Sequence, residues 1–197
     1  MSNLTRSSLS AACLGTLLCL TTAATAQQAL KAGYFTGANT TGVPDSRVVI
    51  SNPDVYGGGN GDLCAMIYVF DPNQEIVECC GCFMSVDGER ELSVNTDLSS
   101  NPLNGVRPRR GSVRIVSNPP NNSTITCDPT MLDNPQPELL AWGTHPSRFV
   151  LNLSNLTETD YADVPLTARE AGNLSFDCYA AQRLGSGQGV CSCGTGD

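Results

Sequence analysis

The chain carries one histidine, one tryptophan and a single lysine, Lys31, and aromatic residues make up only 6% of it. With one imidazole available, histidine-based catalysis has to run through His145, in Trp142-Gly143-Thr144-His145-Pro146,. No G-x-S-x-G elbow accompanies it,, and a histidine beside tryptophan and proline reads first as a loop residue. Basic residues are outnumbered, eleven against nineteen acidic ones, for a net charge of −8. An acidic surface repels phosphate backbones, so nucleic acid is excluded as a partner. The local basic spot at Arg109-Arg110 reads as a surface turn. Beyond the N-terminus there is no long hydrophobic run, which excludes a helical membrane span there,. Internal repeats and heptads are lacking too, as is any EF-hand loop,.

Cysteine is plentiful, with ten residues. Two of them, Cys13 and Cys19, fall in a leader-like segment over residues 1–26. Arg6 supplies its positive charge, residues 9–20 (LSAACLGTLLCL) its apolar stretch, and Ala24-Thr25-Ala26 its cleavage site,. The segment predicts export, removal before Gln27, and no membrane span after cleavage. Eight cysteines remain: Cys64, Cys79, Cys80, Cys82, Cys127, Cys178, Cys191 and Cys193. An even number of thiols in an exported chain reads as a disulfide framework.

The predicted fold is mainly β: a disulfide-stapled antiparallel β-sandwich with one C-terminal α-helix. Residues 27–45 are small, polar and rich in glycine and threonine, and read as a partly ordered lead-in. A single domain then covers residues 46–197. Its strands are read at 47–50 (RVVI), 63–70 (LCAMIYVF), 75–84 (EIVECCGCFM), 90–95, 111–117, 123–127, 138–142 and 148–153,. The run at 63–70 is continuously apolar, so both its faces must be covered. Asp71-Pro72-Asn73-Gln74 is a type I turn signal that folds 63–70 and 75–84 into a hairpin,. Pairing Phe70 with Glu75 sets Cys64 opposite Gly81; a one-residue bulge sets it opposite Cys82. A helix starts at the capping box Thr167–Glu170, presents Ala171, Leu174, Cys178 and Ala181 on one face, and ends at Gly185 in a left-handed conformation,.

Cys80 and Cys82 share one face of a strand while Cys79 takes the other. Cys191 and Cys193 share a face if extended, so the two clusters suit cross-linking to each other. The same four sulfurs, Cys80, Cys82, Cys191 and Cys193, could instead form a thiolate metal site, although one intervening residue is shorter than the usual zinc spacing. A vicinal Cys79–Cys80 bridge is disfavoured by geometry.

Other candidates are weaker. Glu89/Glu91 and Asp160/Asp163 are the carboxylate pairs open to hydrolytic chemistry,. The glycine-rich loop at 54–62 (DVYGGGNGD) supplies Asp54, Tyr56, Asn60 and Asp62 as a possible ligand loop,. With residues 71–75 it also offers calcium-type oxygens, which turn chemistry explains equally well. Of the sequons at Asn39, Asn121, Asn122, Asn152, Asn155 and Asn173, the last lies within the predicted helix and most read as turn and strand-edge composition.

The stretches at 63–82 (LCAMIYVFDPNQEIVECCGC) and 184–194 (LGSGQGVCSCG), with Trp142–His145, resemble a family of uncharacterised, exported, cysteine-rich bacterial proteins. The resemblance covers most of the body and implies secretion; it assigns no activity and no catalytic residues. The expectation is therefore an exported, non-enzymatic interaction or structural module, without a cofactor, acting on an unknown extracellular or surface partner. Its location would be periplasmic, cell-surface or extracellular. The alternatives are a secreted hydrolase using His145 or a carboxylate pair, and a thiolate metal-binding protein.

Overall fold

The computed structural model describes residues 29–54, 61–120, 126–148, 154–185 and 191–193. The leader at 1–26, Tyr56, Asn60 and the strand expected at 148–153 lie mainly or wholly outside this set. Two antiparallel sheets face each other, with a helix on the outer side of one. The elements run β1 (Leu30–Thr36), β2 (Arg47–Ser51), β3 (Leu63–Phe70), β4 (Ile76–Met84), β5 (Glu89–Ser93), β6 (Arg110–Asn118), β7 (Leu140–Arg148), β8 (Ser154–Asp160), β9 (Ala162–Val164) and α1 (Ala168–Leu184). The five-stranded sheet has order β4-β3-β6-β1-β9, and the four-stranded sheet β5-β2-β7-β8.

Every residue of β3 is buried, and the two packed layers explain why. Ala65, Ile67 and Val69 point between the sheets, where they meet Val48, Ile50, Leu92 and Ile115. Cys64, Met66, Tyr68 and Phe70 point the other way, toward Leu174, Cys178 and Ala181 of α1. An alternating strand cannot satisfy two apolar layers; a continuously apolar one can. The buried Tyr68 hydroxyl donates to the Pro129 carbonyl at 2.7 Å, and burial raises its pKa.

The β3–β4 hairpin forms at the expected turn, but in a different register. Asp71 accepts from the amides of Asn73 and Glu75, and Gln74 adopts a positive φ of 68°. Phe70 pairs with Ile76, and a bulge beside it shifts the ladder so that Cys64 faces Phe83. Neither expected partner, Gly81 or Cys82, is opposite. The five-residue turn and the bulge together add the offset that a turn signal alone does not specify.

Three other expectations are corrected. Residues 30–36 of the supposed lead-in are β1, hydrogen-bonded between β6 and β9. Leu30 and Phe35 anchor it in the two cores, while Gly33 admits the Tyr161 ring to within 2.2 Å of where a Cβ would stand. Small residues suited to that close approach erase the alternation by which a strand is recognised. Second, β7 runs through Trp142–Pro146, so His145 is a strand residue. Third, Gly185 ends α1 at φ −78° rather than left-handed, its amide donating to the Ala181 carbonyl at 2.8 Å. The start of α1 matches its signal: Thr167 accepts from the Glu170 amide at 3.1 Å,.

Candidate functional site

The inward residues of β7 are Ala141, Gly143 and His145, all buried. The His145 ring stacks on Tyr34 of β1, with centroids 4.3 Å apart and planes 10° from parallel. Neither ring nitrogen has a hydrogen-bond partner, and burial lowers the pKa of the imidazole. A general base needs a nucleophile and an orienting acid within hydrogen-bond reach; among the described residues this ring has neither. Of the carboxylate pairs, Asp160/Asp163 is split between the two sheets. Glu89 and Glu91 are paired with β2 residues at the sheet surface. Asp160 is on β8, whereas Asp163 is on β9 of the other sheet, 2.5 Å from Lys31.

The eight body cysteines form four pairs: Cys64–Cys127, Cys79–Cys178, Cys80–Cys191 and Cys82–Cys193. Cys79 reaches outward to the helix, and Cys80 and Cys82 reach inward to the tail, as strand alternation requires. The tail runs beside β4, with the Cys191 amide 3.3 Å from the Cys79 carbonyl. The sulfurs of Cys80, Cys82 and Cys193 lie within 4.8 Å of one another. Bound in disulfides, they offer no thiolate to a metal.

In the glycine-rich loop only Asp54, Gly61 and Asp62 fall within the described residues. The base of the loop is held by Asn52, whose amide donates to the carbonyls of Gly61 and Ser85 at 2.8 and 3.0 Å. At the other proposed oxygen cluster, the Asp71 carboxylate is occupied by the turn amides. A cleft of about 260 Å³ opens between Phe70 and α1. Its cation, Arg114, is paired with Glu170 and lies 5.0 Å from the Phe70 ring centroid. Asp177 there has a raised pKa, chiefly from desolvation and then from the Glu170 charge.

The outward face of the four-stranded sheet is built differently. Alternation along β7 turns Trp142 and Thr144 away from the core that holds Ala141,. The ladder aligns Glu91, Val49, Trp142 and Asp160 as one row across four strands. At about 4.8 Å per strand step, that row spans roughly 14 Å. Glu158 stands beside it, opposite Thr144, and Leu156 follows opposite Pro146. Leu156 is 55% exposed and Leu140, next to the row, 50%. Arg47 is held by Glu91 at 3.3 Å and Asp45 at 3.8 Å.

Sequence reasoning misses this face because the strand expected at 138–142 stops at Trp142, whereas β7 runs on to Arg148. The available signal was the small–large alternation of Ala141, Trp142, Gly143 and Thr144.

Comparison with family models, with curated proteins and with solved structures returned no match. Four disulfides mark a protein suited to an oxidising environment. Among the described residues, no helix is long and apolar enough to cross a membrane.

Proposed function

We propose that this chain is an exported, non-enzymatic interaction module of the periplasm, cell surface or extracellular space. The observation that carries the reading is the division of labour between the two sheets. Three disulfides converge on β4 and tie it to α1 and the tail, while the opposite sheet turns a mixed apolar and acidic face to solvent. A stiff scaffold presenting one exposed face lowers the entropic cost of binding. The partnerless nitrogens of His145 count against the hydrolase alternative, and the sulfur pairing counts against the thiolate metal alternative.

The test is expression of the full chain with its leader, followed by alkylation of the native protein and sequencing of its N-terminus. The expected result is a mature chain starting at Gln27 with no alkylatable thiol. Recovery of an uncleaved chain with all eight body thiols reactive overturns the proposal. A hydrolase substrate screen on the parent and on His145→Ala completes it: any activity abolished by the substitution restores the enzyme alternative.

A further inference from the structure

We infer that the outward face of the four-stranded sheet binds an extended, cationic protein segment, one that carries lysine or arginine and aliphatic residues together on one side, at every second position. This inference rests on the interaction-module reading and names the chemistry of the partner.

The charge of the face carries the argument. Asp160, Glu158 and Glu91 surround Trp142 and Val49 on adjoining strands, and all three carboxylates are exposed. Arg47, a cation of this face among the described residues, is neutralised by Glu91 and Asp45. Among the described residues Asp160 and Glu158 have no such cation, and their direct neighbours are Trp142 and Thr144. An arginine or lysine head laid over the indole would meet the ring face and the adjacent carboxylates together. Cation–π attraction and charge pairing then act at one point.

The pitch of the face sets the form of the partner. Leu156, Glu158 and Asp160 project from the same side of β8 at every second residue, apolar at one end and acidic at the other. An extended segment likewise turns every second side chain to one side, so a strand-like peptide with an aliphatic residue followed by basic ones at alternate positions matches it. A compact cation, such as a metal ion, would use the carboxylates and leave Leu156 and Trp142 idle.

Trp142 is the only tryptophan in the chain, so its fluorescence reports this face alone. The experiment titrates the oxidised full chain with an acetylated eight-residue peptide in which valine, arginine, arginine and valine occupy every second position with serine between them, so that they share one side when extended. A glutamate–valine counterpart and a chitin hexamer serve as comparison probes. Amide resonances of β7 and β8 are followed in parallel.

The expected result is a saturable change in Trp142 emission with the arginine peptide only, weakened as salt rises from ~0.05 M to ~0.5 M. Glu158→Gln together with Asp160→Asn should reduce affinity about tenfold. Asp133→Asn together with Asp177→Asn, an equal charge change elsewhere, should leave affinity at the parent value. Trp142→Phe should retain the β8 resonance shifts with weaker affinity.

No response to the arginine peptide overturns the inference, as does equal weakening by both charge-neutralised pairs. A response to the chitin hexamer instead also overturns it, yet leaves the interaction-module reading standing. That broader reading falls separately, on the thiol and N-terminus measurements.

Discussion

Gly81 lies directly beneath the backbone of Cys127. A Cβ built on it would come 2.2 Å from the Cys127 carbonyl oxygen and 2.8 Å from its Cβ. The glycine between Cys80 and Cys82 is thus the space through which the Cys64–Cys127 staple reaches the sheet. Gly81→Ala should destabilise the oxidised protein by about 1–3 kcal/mol, because the obstructing atoms are backbone and cannot rotate away. Gly172, in α1 with nothing near it, should behave in the opposite way. Gly172→Ala should stabilise by up to about 1 kcal/mol. Urea unfolding of the two variants checks the contrast.

The four disulfides do not enclose equal loops. Cys64–Cys127 spans 63 residues, whereas Cys80–Cys191 and Cys82–Cys193 span 111 each. Removing Cys79–Cys178, which spans 99 residues, by paired serine substitution should cost roughly 2–5 kcal/mol and loosen α1 first. Hydrogen exchange along α1 measures this. Peptide mapping without reduction should recover all four pairs, and a Cys79–Cys80 bridge would refute the assignment.

His145 is 7% exposed and unpartnered at both nitrogens. Its folded pKa is depressed, so the unfolded chain takes up the proton first. Stability is full above the unfolded-state value, about 6.5, and declines as pH falls from there toward the folded value. His145→Phe should flatten that decline between about pH 7 and 5. Denaturant midpoints across this range provide the test, and an unchanged slope would contradict the burial argument.

Glu78 gives the reverse sign. It is 4% exposed, accepts from the Ser100 amide at 2.5 Å, and has a raised pKa because desolvation outweighs that bond. Stability linked to it is present below the unfolded value of about 4.3 and is lost as pH rises through the folded one. Glu78→Gln keeps the acceptor and removes the charge. The variant should gain stability relative to the parent at neutral pH and match it in acid, as read by thermal melts at both.

The sequence by itself determined the elements whose physics is local. The apolar run of β3 demanded two covered faces. The Asp71–Gln74 turn demanded a hairpin, and the Thr167 box started the helix that carries Cys178 inward. The even thiol count and the alternation of Cys79, Cys80 and Cys82 pointed to separate partners on opposite faces. Tertiary structure decided what depends on residues far apart in the chain. Register followed from a bulge and a turn length, and β1 formed by pairing with β6 and β9, with Gly33 leaving room for the Tyr161 ring. The row through Trp142 exists only once β5, β2, β7 and β8 lie side by side. Local propensity acts over a few residues, whereas pairing between distant strands is settled by the packing of both cores at once.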